Sequence, residues 1–319
     1  MVNIQGIRAL ADRTIEGGGD WAMNINAFDW VPGVGLCGVY GAYEATGDRK
    51  YLDFLTDWAD EFLMHAYDMQ TVNSTAPLFT VRRLYNLCGN EKYLKVCRDI
   101  AEYLVTKAPK TTYGGLEHTV TENVPGFENQ VWADTLFMAG LFLLEMQEDR
   151  YVDFALDQLF VHHKYLADKD GLYFHGYNGT DHMSAVKWGR ANAWIIYSSA
   201  YFLEKTGDKR IFELVKRHTD ALLRVRRADG GYGTVLDADE SYTELSATGG
   251  IIAGINKAAR LGTVDVQCDA GIILDNITPA GELSGVSTGT PVMPDKAAYM
   301  QIPTCPTLYG QALGILALM

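Results

Sequence analysis

Polar and apolar positions along this chain repeat in a two-part pattern. A segment that is apolar on nearly every side, such as ANAWIIYSSAYFLE or LFMAGLFLLE, runs into a short polar turn. A segment with its charges confined to one face then follows. The turns resemble one another: TGDRKYLDFLTDWADEFL at 46–63, CGNEKYLKVCRDIAEYLV at 88–105, QEDRYVDFALDQLFVHHKYL at 147–166 and TGDKRIFELVKRHTDALL at 206–223. Glycine is suited to ending a helix, and Asp or Asn to starting one. Helices apolar all round are enclosed, whereas amphipathic ones cover a surface. The pattern therefore predicts inner helices at 34–46, 77–88, 130–147, 188–205, 244–260 and 307–319. Outer helices are predicted at 3–16, 51–65, 92–107, 151–167, 209–225 and 264–275. Six such hairpins make an all-α fold, an (α/α)6 barrel that takes residues 1–319 as a single domain. An open superhelix of stacked helix pairs is the alternative, but its repeats are usually more even in length.

The direction of the chain locates a site. Turns from inner to outer helix are short, whereas the return loops at 66–76, 108–129, 168–187, 226–243 and 276–305 are long. All the long loops thus gather at the mouth formed by the N-termini of the inner helices. Helix N-termini carry positive partial charge and suit an anionic ligand. Long loops on a rigid ring are also where binding and catalytic residues concentrate.

At or just before those helix starts stand Trp30, Asn73, His118, Trp132, Asp134, His175, Tyr177, Trp188, Arg190 and Trp194. Aromatic rings beside polar groups fit a sugar, whose C–H faces pack on rings and whose hydroxyls need hydrogen bonds. Trp132, Trp188 and Trp194 cluster near this mouth and are candidate platforms, although each alone would read as core. Asp134, in QVWADTLFMAG, shares a helical face with Phe137, Met138 and Leu141. An ionised carboxylate there is costly unless it is paired or put to use. Its apolar flanks are expected to raise its pKa, with the helix N-terminus opposing. As a cap it has a rival in Asn129. Arg190 meets either a ligand carboxylate, which its planar fork suits, or an internal acid. His118 and His175 would orient substrate or a neighbouring acid, or are hydrogen-bonded structural histidines.

Net charge narrows the partners. At −13 the chain lacks the clustered Lys and Arg that nucleic acid or an anionic membrane calls for. Five scattered cysteines without a C-x-x-C pair suggest reduced thiols and, with no apolar leader or membrane-length stretch, a cytoplasmic protein. No metal or cofactor is expected. His162-His163 lacks ligand spacing, the Gly-rich GGGDW and ADGGYG lack a strand-loop-helix setting, and no G-x-S-x-G elbow occurs.

FDWVPGVGL, VWADTLFMAGLFL, YFHGYNG, WGRANAW and the terminal YGQALGILAL, in that order, resemble the unsaturated rhamnogalacturonyl hydrolases of glycoside hydrolase family 105. Those are relatives of the family 88 unsaturated glucuronyl hydrolases. The resemblance implies the same barrel and removal of a 4,5-unsaturated uronic acid from an oligosaccharide cut by a polysaccharide lyase. It implies that Asp134 is the central acid and that His175 and Arg190 belong to the site, with Tyr177 where Trp is common. Asn73 stands where many members carry a second Asp. A vinyl-ether hydration needs one carboxylate for its proton transfers, so this departure is compatible with activity. A sugar epimerase on the same barrel and a non-catalytic carbohydrate-binding scaffold are the alternatives. A monomer or homodimer is expected.

Overall fold

The computed structural model describes residues 2–121 and 126–319. Its longer helices are α1 (Ile4–Glu16), α2 (Trp30–Thr46), α3 (Arg49–Phe62), α4 (Pro77–Cys88), α5 (Glu91–Thr106), α7 (Asp149–Leu166), α8 (Gly189–Thr206), α9 (Lys209–Arg224), α10 (Leu245–Arg260) and α13 (Leu308–Leu318). Shorter ones are α6 (Leu141–Glu145), α11 (Gly271–Asp275) and α12 (Lys296–Met300). A two-residue ladder pairs β1 (Val131–Trp132) with β2 (Gly176–Tyr177).

Turn chemistry makes the hairpins. Gly47, Gly89 and Gly207 close α2, α4 and α8 in the left-handed region, at φ 67°, 68° and 63°. Asp48, Asn90 and Asp208 then accept from the backbone N–H groups of Lys50, Lys92 and Arg210 to open the outer helices. The third turn, QED, departs from this. Gln147 adopts φ 60° without being glycine, and Glu148 caps nothing because its carboxylate bonds Arg98 Nε at 2.8 Å. Gln147→Gly is expected to stabilise the protein by about 0.5–1 kcal/mol, because left-handed backbone costs an L-residue more than glycine. A raised denaturation midpoint checks this, with Gly207→Ala moving the opposite way.

The inner helices form a closed ring. α2 packs on α4, α4 on α6, α6 on α8, α8 on α10, α10 on α13, and α13 back on α2. The outer helices α3, α5, α7, α9, α11 and α1 lie against them in the same order. Closure rules out the open superhelix. Helix α8 is buried from Gly189 to Leu203, and α13 throughout. Close backbone approach is needed where α13 meets α2: a Cβ on Gly38 would lie 2.5 Å from Ala312 Cα.

Two predicted helices differ. The outer segment 264–275 is helical only over Gly271–Asp275. Asn256 of α10 takes both the N–H and the carbonyl of Cys268, at 2.7 and 3.0 Å, so that backbone finds its partners outside a helix. The third inner helix, predicted over 130–147, begins later. Residues 131–132 are extended, and a wide π-helical turn over Leu136–Gly140 leads into α6. Asp134 therefore sits in the turn ahead of the helix, where its carbonyl accepts from Phe137 and Met138 N–H at 3.0 and 2.9 Å.

Candidate active site

The loops at the mouth lie side by side in extended strips. Val72 N–H donates to the His118 carbonyl at 2.9 Å and Val120 N–H to Gln70 at 3.0 Å. His118 N–H donates to Gln130, β1 pairs with β2, and Ala133 N–H donates to the His175 carbonyl at 2.9 Å. β-Branched residues in EHTVT and QVW favour this extended backbone. The strips bring His118, Asp134 and His175 into one cluster. They also carry Asn73, on a 3-10 turn (Val72–Thr75) that packs against the π-helical turn following Asp134.

Asp134 is buried, and its Oδ2 lies 3.3 Å from His175 Nε2, outside hydrogen-bond geometry. On the other side of the imidazole, Nδ1 is 2.7 Å from the Tyr299 hydroxyl of α12. Burial pushes the Asp134 carboxyl up, but the His175 and His118 imidazoles outweigh that and hold it below the usual carboxylate value. The raised pKa expected from apolar flanks is thus corrected by two histidines from distant loops. Burial pushes His175 down against the raising effect of Asp134, and pushes His118 down to about 4. Both imidazoles are therefore neutral near pH 7, and the resting site carries a carboxylate facing neutral rings.

An aromatic floor spreads from this cluster. His118 stacks on Trp132 at 3.9 Å, and His175 lies 5.2 Å from Trp132 and 4.2 Å from Trp188. The Arg190 guanidinium covers the Trp188 and Tyr309 rings at 4.3 and 4.7 Å. Trp30 stacks on Tyr309 at 5.0 Å, and Trp21 meets Trp30 edge-on. Trp21 is 52% exposed, whereas Trp132 and Trp188 are buried.

Three candidates stand elsewhere or are otherwise engaged. Trp194 is fully buried against Phe137, a core position. Tyr177 stacks on Tyr165 of the outer helix α7 and meets Tyr113 edge-on, a cluster separate from Asp134. Arg190 is 1% exposed and pairs with buried Glu244 at 3.5 Å. Its Nη1 also donates to Ser246 and Ser287, and its Nη2 to the Thr288 carbonyl and Thr290 hydroxyl. The internal acid is thus its partner. Sequence reasoning missed Glu244, Tyr299 and Tyr309. Glu244 had a signal, an acid immediately before an apolar inner helix, while Tyr299 lies in a long loop without periodicity.

Several buried polar atoms here have no protein partner among the described residues: Asn73 Oδ1, His118 Nδ1, Asp134 Oδ2, His175 Nε2, Trp188 Nε1 and Arg190 Nε. Such atoms are rare in interiors and mark places where a ligand or chemistry supplies the partner. The family model for glycosyl hydrolase family 88 matches residues 8–319. The chain belongs to that family. It is 35% identical over 289 residues to the unsaturated rhamnogalacturonyl hydrolase YesR of Bacillus subtilis, covering 87% of this chain and 84% of the relative. Its structure matches a possible member of glycoside hydrolase family 105 from Salmonella enterica with TM-score 0.91 at 28% identity, over 98% of this chain and 92% of that one. The unsaturated glucuronyl hydrolase of Bacillus sp. GL1, 17% identical with TM-score 0.81 over 99% and 94% of the two chains, shares the fold. This family 88 member is a glycoside hydrolase, and both the resemblance read from its motifs and the barrel are borne out. Among the described residues, no helix is long and apolar enough to cross a membrane.

Proposed function

We propose that this enzyme removes a 4,5-unsaturated uronic acid from the non-reducing end of an oligosaccharide released by a polysaccharide lyase, with rhamnogalacturonan fragments as the first substrates to test. The observation that carries this reading is a buried carboxylate, Asp134, set against a histidine at the mouth, with Asn73 in the neighbouring strip. The names of the relatives support the substrate class. Ordinary glycoside hydrolysis uses two carboxylates flanking the bond. The other acids at inner-helix starts, Asp29 and Glu244, serve as caps, accepting from Trp30 N–H at 2.7 Å and Ala247 N–H at 2.6 Å.

One acid suffices for hydrating a vinyl ether. Asp134 gives its proton to C4, and positive charge develops at C5 and the ring oxygen. Water adds at C5 and returns a proton to Asp134. The resulting hemiketal opens, and the aglycone leaves as an alcohol. The resting carboxyl is held low, so it must gain its proton in the complex. The uronate carboxylate supplies the reason, because a like charge brought beside Asp134 raises its pKa. Arg190 contributes positive potential from behind the aromatic floor, and its Nε is the guanidinium donor without a protein partner among the described residues. Half-buried Trp30 offers a ring to the sugar, the buried Trp132 and Trp188 back the site from beneath His118 and His175, and His118 and Asn73 offer polar edges.

The whole chain, 1–319, acts as one catalytic domain in this reading. The five unpaired cysteines support a cytoplasmic location, with the enzyme working as a monomer or homodimer. Neither the epimerase nor the scaffold gains support, since the reported relatives with assigned activities are unsaturated-uronyl hydrolases. The test is the ultraviolet absorbance of the conjugated C4=C5 double bond during incubation with unsaturated disaccharides from pectin, ulvan and glycosaminoglycan lyases. A fall with rhamnogalacturonan disaccharide is expected. Steady absorbance across the panel would rule the reading out.

A further inference from the structure

Tyr299 is fully buried and lies 124 residues from His175 in the chain, yet its hydroxyl is 2.7 Å from His175 Nδ1. It rides on α12, a five-residue helix capped by Asp295, which accepts from Ala298 N–H at 2.9 Å. Lys296 ties that helix to the 226–243 loop through Asp237 at 2.9 Å. The long return loop is thus folded back so as to put one phenol against one imidazole nitrogen.

The direction of that hydrogen bond follows from what surrounds the phenol. Burial pushes its pKa up to about 12, so it keeps its proton, and His175 Nδ1 is the hydrogen-bond partner of its hydroxyl among the described residues. The phenolic proton is then directed to the acceptor within reach, His175 Nδ1. A neutral imidazole that accepts at Nδ1 carries its proton on Nε2. That proton faces Asp134 Oδ2, 3.3 Å away. The opposite tautomer would set an imidazole lone pair against a carboxylate.

We propose that Tyr299 is a positioning residue that locks His175 in the Nε2–H tautomer, so that the imidazole turns an N–H, and not a lone pair, toward the Asp134 carboxylate. Tyr299 acts through His175 and touches no reacting atom. The proposal deepens the hydrolase reading and rests on it for the catalytic consequence, but the tautomer is a property of the free protein. The charged and titratable groups acting on His175 and Asp134 are Arg190, His118 and Tyr299.

The experiment compares wild type with Tyr299→Phe, which removes the hydroxyl and keeps the ring. Histidine ¹⁵N shifts in labelled protein without substrate are expected to report Nε2–H for His175 in wild type and a mixed or reversed tautomer in the variant. Turnover of the best unsaturated disaccharide is expected to fall about tenfold to a hundredfold in kcat, as for other partners that orient a working group, with KM nearly unchanged. The pH profile of kcat should shift as well. An Nδ1–H tautomer in wild type would overturn the proposal, as would a variant with unchanged tautomer and pH profile. The spectroscopic arm needs no turnover, so a failed substrate panel would sink the hydrolase reading while leaving the tautomer lock to stand or fall separately.

Discussion

Asp134→Asn is expected to lower the rate of unsaturated-disaccharide hydrolysis by about 10²–10⁴-fold, the contribution typical of a positioned general acid–base group. Asn has nearly the same shape, so the substitution isolates the proton. An amide neither protonates C4 nor accepts a proton from the water that attacks C5. Stability should change little, because Asp134 Oδ2 makes no hydrogen bond within the protein. The imidazole it would leave is neutral, since burial holds the His175 pKa down. Absorbance loss per unit enzyme measures the rate, and a denaturation midpoint within a few degrees of wild type shows that the fold persists. Residual activity above about a tenth of wild type would move the proton donor elsewhere, and Asp29 would then be the next group to replace. Its pKa is raised by burial against the bond it accepts from Trp30 N–H.

What could be read from the sequence was local. Gly47, Gly89 and Gly207 and the caps after them declare the hairpins because turn chemistry acts over three or four residues. Once the hairpins are placed, chain direction alone puts Trp30, Asn73, His118, Trp132, Asp134 and His175 at one mouth. The failures are contacts between distant segments. Helix 264–275 is lost because Asn256 captures the Cys268 backbone, a competition that helical periodicity does not record. The Asp134 pKa goes the other way because two imidazoles arrive from separate loops. Tyr299 has no periodic context at all. Trp194 and Trp188 are six residues apart on consecutive turns of the same segment, and only packing separates a core ring from a floor ring.

The partner of Arg190, a ligand anion or an internal acid on sequence grounds, is settled by burial and hydrogen bonding around Glu244. Glu244, 54 residues away, is fully buried and ringed by donors. It accepts from Ala247 N–H at 2.6 Å, from Ser287 N–H at 2.7 Å, from the Ser246 and Ser287 hydroxyls, and from Arg190. One side chain thus caps α10, anchors the 287–290 loop and balances a buried cation. Removing one partner of a buried ion pair leaves the other uncompensated, so Glu244→Ala is expected to destabilise the protein by about 3–5 kcal/mol. Glu244→Gln should also cost about 1–3 kcal/mol, because its amide NH2 must face one of those donors. The pair between Lys257 and Glu204, 2.8 Å apart with Glu204 41% exposed, is the internal control. Glu204→Ala should cost about 0–1 kcal/mol. Denaturant midpoints at unchanged slope give these values. In the Glu244→Ala background, Arg190→Met should cost far less than it does in wild type, since the cation it removes is already unpaired. If Glu244→Ala proved no costlier than Glu204→Ala, Arg190 would have to reach another anion or water. The guanidinium would then be free to meet a uronate directly.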